Sequence, residues 1–164
     1  MKRPILFLLS LLMLATGCDV DPVDRPVVSE SGRDYVWCQV GEANYLADGL
    51  SVSLNAALDT AYLVLDVRRV YGPDNGLELK SIEMRVARKD LVPQRRIGLD
   101  EEQARIAFLS GATALSATDV TGYVLFWKCA DQILAGQFEF QCSSAPYSFY
   151  ISHGMFDLKA PFVL

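Results

Sequence analysis

A single histidine, His153, serves the whole 164-residue chain, and no Cys-x-x-Cys pair occurs among its four cysteines. These shortages exclude the usual zinc ligand sets, which draw on Cys and His at short spacings, so no metal site is expected. They also leave no Ser or Cys triad that does not lean on His153. Basic residues are outnumbered, 15 against 20 acidic, giving a net charge of −5. Nucleic acid and anionic lipid both require a basic footprint, and this balance does not supply one. No cofactor is expected. Long helical periods are scarce as well, and the one long apolar run, residues 5–15, is only about half the ~20 residues that span a bilayer.

What surrounds that run explains it. Lys2 and Arg3 precede it, and residues 14–18, LATGC, place small residues directly before Cys18. An ordinary secretory cleavage site is read from small residues alone. The added cysteine makes this stretch resemble the lipobox of bacterial lipoproteins, which implies removal of residues 1–17 and acylation of Cys18 with palmitate-type chains. Two or three acyl chains hold a protein firmly, because each buried methylene contributes about 0.8 kcal/mol and one chain alone is marginal. Removing 17 residues from 164 leaves 147, and takes away Lys2 and Arg3 but no acid, so the mature balance is 13 against 20, or −7. Residues 18–34 combine prolines, acids, Ser and Gly without apolar period, and are expected to be a flexible tether. Residues 35–164 form the expected domain, of a size that suits one core.

Alternation dominates after Asp34. Val52, Leu54, Ala56 and Leu58 fall opposite Ser51, Ser53 and Asn55; Leu63, Leu65 and Val67 alternate with Val64, Asp66 and Arg68; Ile82, Met84 and Val86 with Glu83 and Arg85. Each is the period of a half-buried strand. Leu77 and Leu79 are out of phase with Ile82, which predicts a bulge or bend near Ser81. Turns are expected at residues 59–60, at 72–76 (GPDNG), at 130–132 and in the SSAP stretch at 143–146. Residues 104–109, ARIAFL, stay open between helix and strand, since Asp100 and Gln103 have the spacing of a capping box and Gly111 that of a stop. Late in the chain Phe138, Phe140 and Cys142 share one face, opposite Gln137, Glu139 and Gln141. About eight to ten short strands without a long helix predict a single antiparallel β-sandwich or open barrel.

With Cys18 committed to lipid, Cys38, Cys129 and Cys142 remain, an odd count in an oxidising envelope. Counting by twos puts Cys38 inward with Val36 and Val40, so Cys38 and Cys142 are the candidate disulfide and Cys129 the leftover thiol. The pairing requires Cα atoms within about 7 Å.

Three stretches, YVWCQVGEANYLADG near the start, LAGQFEFQC late and YISHGMFDL at the end, are similar in order and spacing to a group of small Bacteroidota envelope lipoproteins classed as a domain of unknown function. Their pattern is carried here by Cys38, Val40, Gly41, Gly136, Phe138, Phe140, Ile151, Gly154, Phe156 and Asp157. The family's Asn before the first glycine is missing. The resemblance implies an all-β fold, tips residues 104–109 towards strand, and implies outer-membrane placement, because the acids Asp19, Asp21 and Asp24 after Cys18 resemble that group's surface-export signal. In enteric bacteria an Asp at that place resembles inner-membrane retention instead. Asp59-Thr60-Ala61 resembles an O-glycosylation acceptor, with Thr60 carrying the sugar. The resemblance brings no activity and no catalytic residue.

His153 in Ser152-His153-Gly154 suits a turn in which Gly154 takes the positive φ. Asp100, Glu101 and Glu102 suit a solvated turn better than a calcium or glycosidase site. Tyr35, Trp37 and Tyr150 fall on the face opposite Val36 and Cys38, where two readings stay open: an exposed binding surface for a glycan or an envelope protein, or a strand covered on both faces. The expected function is a non-enzymatic, membrane-tethered binding module; its rivals are an inhibitor of an envelope-attacking enzyme and, third, a hydrolase.

Overall fold

The structure, a computed structural model, describes residues 30–74 and 76–162. Cys18, residues 1–17 and most of the expected tether lie outside the described residues, as does Asn75. Ten strands account for most of the described residues: β1 (Tyr35–Val40), β2 (Ala43–Asn55), β3 (Thr60–Tyr71), β4 (Glu78–Ala87), β5 (Arg96–Asp100), β6 (Ala104–Ser110), β7 (Thr113–Ser116), β8 (Thr118–Ala130), β9 (Ile133–Ser144) and β10 (Tyr147–Lys159). A single 3-10 turn, Arg88–Asp90, links β4 to β5. All ten join one antiparallel sheet in the order β5-β8-β9-β10-β1-β2-β3-β4-β6-β7. Of the two all-β architectures expected, the open barrel is the one formed, since no second sheet faces the first among the described residues. The sheet curls until the start of β8 nears β6, where Ala117 donates its N–H to the Ile106 carbonyl at 2.8 Å.

Alternation decides which side chains fill the curl. Leu63 and Leu65, Ile82 and Met84, Val124 and Phe126, Phe138 and Phe140 are all buried at every second position. Residues 104–109 follow the same rule, with Ala104, Ile106 and Phe108 inward on β6. There the Asp100 and Gln103 signal builds a turn: Gln103 Oε1 accepts the Asp100 N–H at 3.3 Å and Asp100 Oδ1 the Glu102 N–H at 2.9 Å. The bulge predicted near Ser81 is present, as a register shift against β6 between Leu79 and Ser81. Strand β2 stops at Asn55, earlier than its alternation suggests, and Leu58 in the turn is 64% exposed. Thr60 opens β3 and donates its hydroxyl to the Leu58 carbonyl at 3.0 Å.

Three glycines let the rings pack. Across the β8-β9-β10 ladders Gly122 faces Phe140, Gly136 faces Phe126 and Phe156, and Gly154 faces Phe138. A Cβ on Gly154 would run into the Phe138 ring, and one on Gly136 would sit 2.9 Å from Phe156 Cζ. The space a side chain would occupy is taken by a phenyl group, so Phe126, Phe138 and Phe156 pack at ring separations of 5.7 and 6.3 Å.

This use of Gly154 corrects one expectation. The positive φ belongs to His153, at 53°, and not to Gly154. His153 sits in a bulge of β10, where the pairing with β9 slips between Ile151 and Gly154.

The disulfide expectation is corrected too: Cys38, Cys129 and Cys142 are free thiols. Cys38 and Cys142 do point inward and are buried. They lie on β1 and β9, however, with β10 between them. Two strand spacings are about 9.6 Å, beyond the reach of a disulfide even before their offset along the strands.

Residues 31–33, assigned above to the tether, are bonded to the barrel. Asp157, 1% exposed, accepts the N–H groups of Gly32 at 2.7 Å and Ser31 at 3.1 Å. Asp34 Oδ1 accepts the Lys159 N–H at 3.0 Å. Gly32 has φ 67°, which turns the chain so that its amide aims at the carboxylate.

Candidate functional site

The inward positions of β8, β9 and β10 leave every other residue facing outward. Tyr123, then Glu139 and Gln141, then Tyr150 occupy neighbouring outward sites, because Tyr123 pairs with Glu139 and Tyr150 with Gln141. Strand β5 adds Arg96 at the sheet edge. Its guanidinium carbon lies 3.7 Å above the Tyr123 ring centroid, a stacked cation–π contact. Tyr150 donates its hydroxyl to Glu139 Oε2 at 2.7 Å while the residue stays 53% exposed. That hydrogen bond to a carboxylate raises the Tyr150 pKa, and partial burial followed by the nearby Glu139 charge raises that of Tyr123. With Thr121 and Gln141 these side chains enclose a shallow cavity of about 210 Å³.

The shelf offers flat ring surface, a planar five-donor cation, a carboxylate acceptor and an amide within one shallow depression. Such a set can stack on an apolar ring face and both give hydrogen bonds to hydroxyl groups and accept them.

Of the three residues expected at a binding surface, only Tyr150 is on the shelf. Trp37 is 3% exposed, its ring 6.4 Å from that of His153, so the outward face of β1 is covered at that position. At Trp37 the covered reading holds and the exposed one is corrected. Tyr35 pairs with Asp157, seven residues along β10 from Tyr150 and therefore about 20 Å away. Its hydroxyl is buried without a hydrogen-bond partner among the described residues, and burial pushes its pKa to about 12. Glu139 was legible as an outward residue between Phe138 and Phe140. Arg96 and Tyr123 were not, because the β5–β8 pairing that joins them is long-range.

Larger cavities lie elsewhere among the described residues. One of about 680 Å³ runs along the seam where β8 meets β6, lined by Val64, Glu83, Glu101, Glu102, Arg105 and Val120. Glu83 there is bonded to Arg85 Nε at 2.8 Å. Another, of about 550 Å³, lies beside β2. Among the described residues no three His, Cys, Asp or Glu side chains are grouped to hold a metal ion.

The three thiols sit far from their reactive range. Burial pushes Cys38 and Cys129 to about 12 and Cys142 to about 11. Since the thiolate is the reacting form, iodoacetamide at neutral pH is expected to leave these positions unmodified in the folded chain and to alkylate all three after denaturation. Intact mass before and after unfolding checks this.

No protein-family model, curated protein or solved structure matches the chain.

Proposed function

We propose that this chain is an envelope lipoprotein, anchored through acylated Cys18 in the outer membrane, whose barrel is a non-enzymatic module that binds glycan on the Tyr123–Tyr150 shelf. The observation that carries the reading is the shelf itself: an exposed tyrosine ring flanked by Arg96, Glu139 and Gln141. Its cavity of about 210 Å³ is smaller than the roughly 300–1,000 Å³ that enclose a whole small molecule. A shallow seat of this size fits one unit of a longer chain. Glu139 and the net charge of the mature chain oppose a polyanion, so the ligand is a neutral sugar polymer. Anchoring is supported by the order of Lys2-Arg3, apolar run and LATGC. Outer-membrane placement is supported by the resemblance to Bacteroidota envelope lipoproteins.

An inhibitor of an envelope-attacking enzyme would need a segment long enough to enter an active site. The longest described connection, residues 88–95, is partly tied down by the 3-10 turn and by Gln94 donating its N–H to the Phe126 carbonyl at 2.7 Å. This favours the open shelf as the working surface.

Affinity electrophoresis of the full chain through gels containing neutral polysaccharides tests the reading. At least one polymer is expected to retard the protein, and Tyr150→Ala is expected to weaken retardation roughly tenfold, about 1.4 kcal/mol, by removing the stacking ring. Retardation that survives Tyr150→Ala together with Glu139→Gln would remove the shelf from the reading. Cys18→Ala is expected to release the protein from the membrane fraction.

A further inference from the structure

Strand β1 covers only part of β2. Their ladder ends at the pair Trp37–Leu46, whereas β2 continues in register with β3 as far as Asn55–Thr60. At Asp34 the chain enters a left-handed conformation, φ 55°, and residues 31–33 leave towards Asp157 and Ile133 instead of running on beside β2. On that side of β2, from 47 to 55, no described residue makes a backbone hydrogen bond. The side chains record the same gap. Leu50, Val52 and Leu54 stand opposite Leu65, Leu63 and Ala61 and point the same way, yet they are only half-buried where those three are fully buried.

Open edges in monomeric sheets are usually blunted by charge, proline or a bulge. Residues 49–55, GLSVSLN, contain neither charge nor proline, and the bulge between Ala47 and Gly49 lies just outside them. The stretch is also its own complement. Laid antiparallel against a second copy about Val52, it sets Leu50 opposite Leu54, Ser51 opposite Ser53 and Val52 opposite itself. Apolar groups then meet on the core side and hydroxyls on the other, the pairing an isologous interface requires. The cavity of about 550 Å³ between residues 47–52 and Asp34, Lys159 and Pro161 lies where the end of the incoming strand would enter.

We propose that two copies of this chain join edge to edge through residues 49–55 of β2, on a two-fold axis at Val52, merging their sheets. The proposal stands independently of what the shelf binds.

Sedimentation of the full chain in detergent at micromolar concentration is expected to give twice the chain mass, and Val52→Lys, which brings two ammonium groups together on the axis, to halve it with an unchanged far-UV circular dichroism spectrum. Val52→Cys provides a test that does not depend on tolerance of lysine. It places two thiols across an antiparallel pair whose Cα separation of about 4.5–5.5 Å suits a disulfide, so mild oxidation in the membrane is expected to give a covalent dimer, while Leu58→Cys at the hairpin tip gives none. A single-chain mass for the unmodified protein without Val52→Cys cross-linking would overturn the proposal. So would a dimer that persists in folded Val52→Lys, or a different protein found paired to this edge.

Discussion

Phe156→Ala is expected to lower the stability of the barrel by about 3–5 kcal/mol, the range for deleting a fully buried aromatic ring without collapse of its site. Phe156 has no exposed surface, and its ring lies 5.7 Å from that of Phe126 and 6.3 Å from that of Phe138. It also fills the place above Gly136, where no side chain can move in to replace it. Domains of this size are typically stable by only about 5–15 kcal/mol, so the variant stands near the unfolding threshold. Urea denaturation checks the figure. A loss below about 1.5 kcal/mol, the cost of a tolerated volume-conserving swap, would mean that the glycine-backed ring cluster is not the centre of the core.

Asp157→Ala is expected to cost about 2–3 kcal/mol, the scale of hydrogen bonds to a charged acceptor. Its carboxylate receives the amides of Ser31 and Gly32 at 3.1 and 2.7 Å and, more weakly, the Ser31 hydroxyl at 3.4 Å. Water can refill part of this shell because the strap lies at the surface, which keeps the cost below that of a fully orphaned charge site. The second signature is local: residues 30–33 become cleavable by protease while the barrel stays resistant. Asp157→Asn keeps one acceptor oxygen and is expected to fall between the two. If Asp157→Ala changed stability by less than about 0.5 kcal/mol, the range of an ordinary surface substitution, the strap would not be held through this residue.

The fate of individual residues shows what a sequence of this kind discloses. Leu63, Ile82 and Phe138 were legible as core because side-chain direction in a strand depends only on the chain's own period. That same counting placed Cys38 and Cys142 in the interior, where they are. It says nothing about which strand lies between two others, and β10 separates them. The exposed reading of Trp37 failed for a related reason: outward on β1 is not the same as exposed, and the side chain's surroundings depend on non-local elements. His153 and Gly154 exchanged roles because Gly154 is needed for its lack of a side chain under Phe138, leaving the bulge's left-handed position to its neighbour. On the shelf, Tyr150 and Glu139 followed from alternation. Arg96 came within reach of Tyr123 only through a pairing across more than twenty residues of chain.

The place where the leading segment meets the sheet has a mechanical consequence. The first strand lies in the middle of the sheet, with β10 on one side and β2 on the other. A tug arriving from the N-terminal side therefore cannot peel a border strand away one bond at a time. It loads two ladders along their length, so their hydrogen bonds share the strain and resist together. A force applied at the Tyr150 end of β10 would travel the length of that strand to its Asp157 end, where residues 31–33 join. A sheet joined this way takes load from both ends along its stiffest direction.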